Sequence, residues 1–208
     1  MTVVLLICVV PHVGVPFVMV SADSRSTDDA GITLEDDAKK IFDAGNALMS
    51  TSGNGDDEYR EDLARVLREL PIRTIEEKMN ALRAMFFEDK MNHDWLQLNA
   101  GLVQFDEVGN PQMGICGIGS EVDFPVVGPY TYDKNHPDFD FKYMGETVTD
   151  EVARLIDKLG KQLQVYFDSG EINETSVENT AEWFIRKVAE VYPATVNGEV
   201  QTKTLSFK

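Results

Sequence analysis

The sequence predicts an α+β fold: N-terminal helices, a central antiparallel β-meander, two C-terminal helices and a C-terminal β-hairpin. Three observations carry that expectation. Apolar residues recur at helical spacing toward both ends of the chain and at a period near two in its middle. Turn residues separate the period-two runs. Strand-like and helix-like blocks are segregated rather than alternating, which argues against a doubly wound parallel sheet.

The first element is unusual. Residues 1–22 hold no Asp, Glu, Lys or Arg. Val3 to Val10 has the length of a signal-peptide apolar region, and Val20-Ser21-Ala22 permits cleavage before Asp23. No basic residue precedes the run, however. The same residues also read as two buried strands, Val3 to Val10 and Val15 to Val20, joined by a turn from Pro11 to Gly14. A membrane anchor is the third reading, opposed by two prolines, a histidine and the lack of flanking positive charge. Residues 23–32 read as an acidic linker, and residues 33–208 as a single α+β domain.

A helix is expected from Thr33, with Leu34, Ala38, Ile41, Phe42 and Leu48 on its stripe and Asp36 in a capping position. The loop STSGNG ends it. A second helix spans about 56–70, acidic in its first turn as the helix dipole favours, and Pro71 stops it. A third starts at the Thr74–Glu77 capping box and runs to about Lys90. Trp95 to Phe105 and Met113 to Ile118 read as strands around the turn Val108-Gly109-Asn110-Pro111. Phe139, Phe141 and Tyr143 alternate with Asp140 and Lys142 as in a short strand. A long helix follows over about 147–167, and a last one opens at Ser176 and stops before Pro193. Asn197-Gly198 lies between two β-capable runs and signals a hairpin.

Composition bounds the function. The 208 residues carry 36 acidic and 19 basic side chains, a formal charge of −17. Nucleic acid is a poor direct partner for such a surface, because phosphate neutralisation needs clustered Lys and Arg. Two cysteines, Cys8 and Cys116, and three histidines cannot supply a Cys/His zinc site of ordinary spacing. No metal or other cofactor is implied.

Candidate chemistry is sparse. Cys116 sits in Gly114-Ile115-Cys116-Gly117-Ile118-Gly119-Ser120. Its apolar neighbours offer none of the cations that lower a thiol pKa, and the glycines do not match a phosphate loop. The run Asp133 to Asp140 clusters oxygen and nitrogen ligands but lacks the glycine and terminal glutamate of an EF-hand. Asn173-Glu174-Thr175 is a glycosylation sequon, between two helices. Aromatic residues from Phe124 to Tyr143 suit a binding surface, so Tyr130, Tyr132, His136, Asp138, Phe139 and Asp140 are the candidate binding residues, with no catalytic set.

The expectation is an exported acidic protein, secreted or periplasmic, that binds another protein, a basic one suiting its charge, as an inhibitor or immunity-type protein does. Two alternatives stand beside it. One is an enzyme or small-molecule sensor with a site near Cys116 and His136. The other is a structural subunit, cytoplasmic or within an assembly, that retains residues 1–22; a membrane enters only if that segment is an anchor.

Overall fold

The computed structural model describes residues 2–27, 33–53, 57–92, 97–118, 126–145 and 148–207. It is a mixed α+β protein in which two antiparallel sheets face one another and helices cover their outer faces. His93, Trp95, Gly119, Ser120 and Phe124 lie outside the described residues, as does the second half of the expected linker, 28–32.

The uncharged segment supplies β1 (Val4–Val10) and β2 (Phe17–Asp23), an antiparallel pair closed by the Pro11–Pro16 loop. Every residue of both strands is buried. The short β3 (Ser26–Thr27) and β4 (Thr33–Glu35) pair with each other. Next come β5 (Ile41–Asp43) and β6 (Ala47–Gly53), then α1 (Asp57–Glu69) and α2 (Ile75–Asn92). The meander is β7 (Leu98–Phe105), β8 (Pro111–Ile118) and β9 (Val126–Thr131). After β10 (Asp138–Met144), α3 (Asp150–Asp168) and α4 (Glu174–Val191), the chain returns as β11 (Val200–Ser206).

The first sheet has the order β10-β1-β2-β11 and the second β5-β6-β7-β8-β9. Three apolar clusters bind the layers. Leu5, Ile7 and Met19 pack under α3 and α4, against Leu159, Phe184 and Ile185. Val4, Leu6, Val18 and Val20 pack between the sheets, against Ile41, Leu48 and Val103. Met49, Ala100 and Cys116 pack under α1 and α2. Strand alternation sorts each strand's side chains between two of these cores.

Two expectations are corrected. Residues 33–48 hold β4, β5 and the start of β6 with non-helical segments between them, not a helix. Ile41 faces the core between the sheets while its neighbour Phe42 faces the helices. A strand buried on both faces puts apolar residues side by side, and that spacing imitates a helical stripe. The Asn197-Gly198 pair closes no hairpin: β11 is a single strand paired with β2. Instead the Asn197 amide bonds inward, accepting from the Ser24 backbone N–H and donating to the Asp36 carbonyl.

The sequon asparagine is the N-cap of α4. Its side chain accepts from the Ser176 N–H, and the Ser176 hydroxyl returns to the Asn173 N–H. Among the described residues, no helix is long and apolar enough to cross a membrane.

Candidate active site

The sites suggested by the sequence resolve into separate pieces. The Tyr132 hydroxyl donates to Asp140, Lys142 pairs with the same carboxylate at 2.7 Å, and the Lys142 ammonium lies over the Tyr130 ring. These groups therefore engage one another. Phe139 turns its ring against Phe167 on α3. Asp138 accepts from the backbone N–H of Phe139. His136 is 81% exposed in its side chain and bonds to Asp133 at 2.7 Å within its own loop.

Cys116 is nowhere near that loop's solvent. It lies in the core under α2, and burial pushes its thiol up to about 12. Cys8 is buried as well, and its thiol too is raised by burial. At neutral pH neither sulfur has appreciable thiolate character. Native protein is therefore expected to react with no equivalents of a thiol-disulfide dye, and with two after denaturation. Fast reaction of one equivalent in the native state would show a reactive thiol.

A different constellation gathers where β1 begins and β2 ends. Asp23 is the first charged residue of the chain and is 0% exposed. It brackets Val3: its backbone N–H donates to the Val3 carbonyl, and its Oδ1 accepts from the Val3 N–H at 2.7 Å. Its Oδ2 accepts from the Arg25 N–H. Thr2, at 2% exposure, is the residue just before, and strand alternation turns its side chain with Val4 and Leu6 toward the second sheet.

Lys40 comes from that second sheet, one residue before β5, and is 1% exposed. Its position is fixed through the backbone. The Gln201 side chain on β11 accepts from the Lys40 N–H and donates to the Ala38 carbonyl, and the Ser50 hydroxyl donates to the Lys40 carbonyl. Ser24 and Asn197 hold the Asp36 carbonyl in the same way. Segment 36–40 is thus laced to the start of β11 and the end of β2.

Burial dominates the electrostatics. It raises the Asp23 carboxyl to about 6, against the pull of two backbone N–H groups and of Lys40. It lowers Lys40 to about 8; the nearby Arg60 guanidinium adds to that, and Asp23 and Asp57 oppose it. Arg60, on α1, is itself buried, donating to Asp57 and to the Gly53 carbonyl at the end of β6. A carboxylate and an amine are thus each desolvated, each shifted toward neutrality and each sensitive to the other's charge, and the carboxylate holds the residue that follows Thr2. Opposed shifts of this kind make the two groups a candidate functional site.

Gly145 closes the other side of Thr2. A Cβ there would come within 2.5 Å of the Thr2 carbonyl oxygen and 3.2 Å of Val3 Cα, and its φ of +151° disfavours any side chain. Gly145→Ala is expected to push the start of β1 away from Asp23. The check is a thermal melt beside the parent chain, in which a lower Tm is expected.

Sequence reasoning missed this site. Thr2 carries no motif, Asp23 read as the flank of a cleavage site, and Lys40 fell within an expected helix. The available signal was the first charge in the chain, set at the end of an uncharged strand pair.

No family model matches the chain, and no curated protein matches it. In fold it is similar to a solved structure described as Anbu (ancestral beta-subunit) from Yersinia bercovieri, with a TM-score of 0.63 at 11% identity, covering 99% of this chain and 82% of that one.

Proposed function

We infer that the protein is an amide or ester hydrolase whose nucleophile is the hydroxyl of Thr2, unmasked when the peptide bond between Met1 and Thr2 is cleaved. The observation that carries this reading is the buried carboxylate of Asp23, bonded to the Val3 backbone next to Thr2 and sensitive to the charge of the buried Lys40.

The chemistry follows from the groups present. A threonine hydroxyl is a weak nucleophile until a base takes its proton, and an N-terminal threonine carries that base as its own α-amine. A model-peptide α-amine titrates near 8, so about a fifth or more of such a group is neutral near physiological pH. Oγ1 attacks the acyl carbon while its proton passes to the amine. The tetrahedral intermediate collapses, the carbon–nitrogen or carbon–oxygen bond of the substrate breaks, and the leaving group takes the proton. Water then hydrolyses the Thr2 ester. Lys40 contributes a cation in a low-dielectric site, which favours the alkoxide that develops at Oγ1. Asp23 stabilises that cation and holds the Val3 N–H, fixing the backbone that carries the nucleophile.

The test uses the full chain, intact mass spectrometry and a β-lactone acylating agent. The expected result is loss of Met1 and a single adduct mapping to Thr2, with Thr2→Ala abolishing labelling and Thr2→Ser retaining it. Lys40→Met is expected to slow labelling at least about 1000-fold, the scale of losing a group that activates the nucleophile. Labelling elsewhere, or undiminished labelling of folded Thr2→Ala, would overturn the assignment.

A further inference from the structure

A concave site lies at the turn between β5 and β6. β5 and β6 are antiparallel, so the turn Ala44-Gly45-Asn46 that joins them is remote from Lys40 and Gly53 at their other ends. That turn, the α1–α2 loop and the β7–β8 turn enclose a cavity of about 680 Å³. The volume is that of a small-molecule pocket.

Its walls have a distinct chemistry. Leu67, Ile72 and Phe105 supply apolar surface, while Arg68, Arg73 and Lys78 bring three of the chain's 19 basic side chains to one cavity. Lys78 is 1% exposed, its ammonium 2.6 Å from the Ala44 carbonyl, with two further N–H donors to place. Gly45 leaves the approach open, since a Cβ there would lie 3.7 Å from the Lys78 nitrogen. Arg73 is held by its backbone: its carbonyl accepts from Asn46 and Gln104, and its N–H donates to Glu77. Of the two wall carboxylates, Asp106 spends its oxygens on the Val108 and Asn110 N–H groups and the Asn110 amide. Glu107 is the other.

A donor-rich, partly apolar cavity with a buried ammonium is out of character for a chain of −17. We propose that it is a binding site for a carboxylate on an apolar body of about tripeptide size, the carboxylate meeting Arg68, Arg73 and Lys78 while the apolar part lies on Leu67, Ile72 and Phe105. Arginine pairs with carboxylates through two parallel N–H bonds, which gives direction as well as strength. The site is independent of Thr2 and stands whether or not Thr2 is a nucleophile.

The same chemistry is found at a peptide C-terminus and in a free organic acid, so titration calorimetry of the full chain uses both. The probes are acetyl-Ala-Leu-Leu with a free carboxylate, the same peptide as its amide, and 4-phenylbutyrate. At least one acid is expected to bind, with amide shift changes in NMR centred on Gly45, Ile72 and Phe105. Peptide binding alone identifies a C-terminus as the source; phenylbutyrate binding alone identifies a small acid. Arg68→Ala/Arg73→Ala, a change on exposed side chains, should keep its Tm and weaken binding at least about tenfold, as should amidation of the peptide. No binding by either acid at millimolar concentration would overturn the proposal. So would equal binding of acid and amide, or shift changes elsewhere.

Discussion

A chain starting at Asp23 is expected not to fold. Residues 3–22 provide both central strands of the first sheet, and their loss would leave β10 and β11 with no partner in that sheet. They also carry eleven buried Val, Leu, Ile, Phe and Met side chains. At about 1.5–3 kcal/mol each for burial, the transfer contribution lost is on the order of 16–33 kcal/mol, against a typical net stability of about 5–15 kcal/mol. The covering helices would lose their floor as well, since Leu159, Leu163, Phe184 and Ile185 pack on Leu5, Ile7 and Met19. Expression of residues 23–208 should therefore give insoluble or unstructured material. The measurements are circular dichroism and a urea titration beside the full chain. A cooperative transition in the truncated chain would refute the central role of β1 and β2. It would also favour the reading of residues 1–22 as a removable leader.

This segment shows where the sequence is legible and where it is not. Composition sets residues 1–22 apart at once, and their Val and Ile content suits strands. Yet local residues leave three readings open, because an apolar run looks the same in a leader, a membrane or a sheet centre. What distinguishes them is pairing with β10 and β11, more than 100 residues away in sequence. The helices α1, α3 and α4 are legible because each has one buried stripe and one wet face. Residues 33–48 are not, because Ile41 and Phe42 are buried in different cores. The site is hidden for a related reason. Thr2, Asp23 and Lys40 come from three chain segments, and only the packing of one sheet over the other assembles them. The aromatic run from Tyr130 to Asp140 was visible because it is local, and its groups spend their contacts on one another.

The buried pair gives the second large effect, and its sign depends on which partner is removed. Asp23 is raised from 3.8 to about 6. A raised acid stabilises the fold fully below its unfolded pKa, and that contribution is lost as pH rises through the folded value. Lys40 is lowered from 10.5 to about 8. A depressed base contributes fully above its unfolded pKa, and that contribution is lost as pH falls through the folded value. Between about 6 and 8 both groups are therefore charged, and each supplies a favourable neighbouring charge to the other. Lys40→Met removes it from Asp23, so its deficit should be small at pH 5 and open as pH rises past 6. Asp23→Asn removes it from Lys40, so its deficit should be small at pH 10 and open as pH falls past 8. At pH 7 each single change is expected to cost about 1–3 kcal/mol, the scale for leaving a buried polar group less well satisfied. Asp23→Asn/Lys40→Met strands neither charge. It should return toward the stability of the parent and lose the pH dependence of both single variants, while remaining inert to the acylating agent. Urea midpoints at pH 5, 7 and 10 for the four proteins test this directly. Two single variants with the same flat profile would mean that the charges do not depend on each other. A restored double variant that still fails to label would separate stability from reactivity, because the fold would then be recovered without the cation and carboxylate that the proposed hydrolytic site requires.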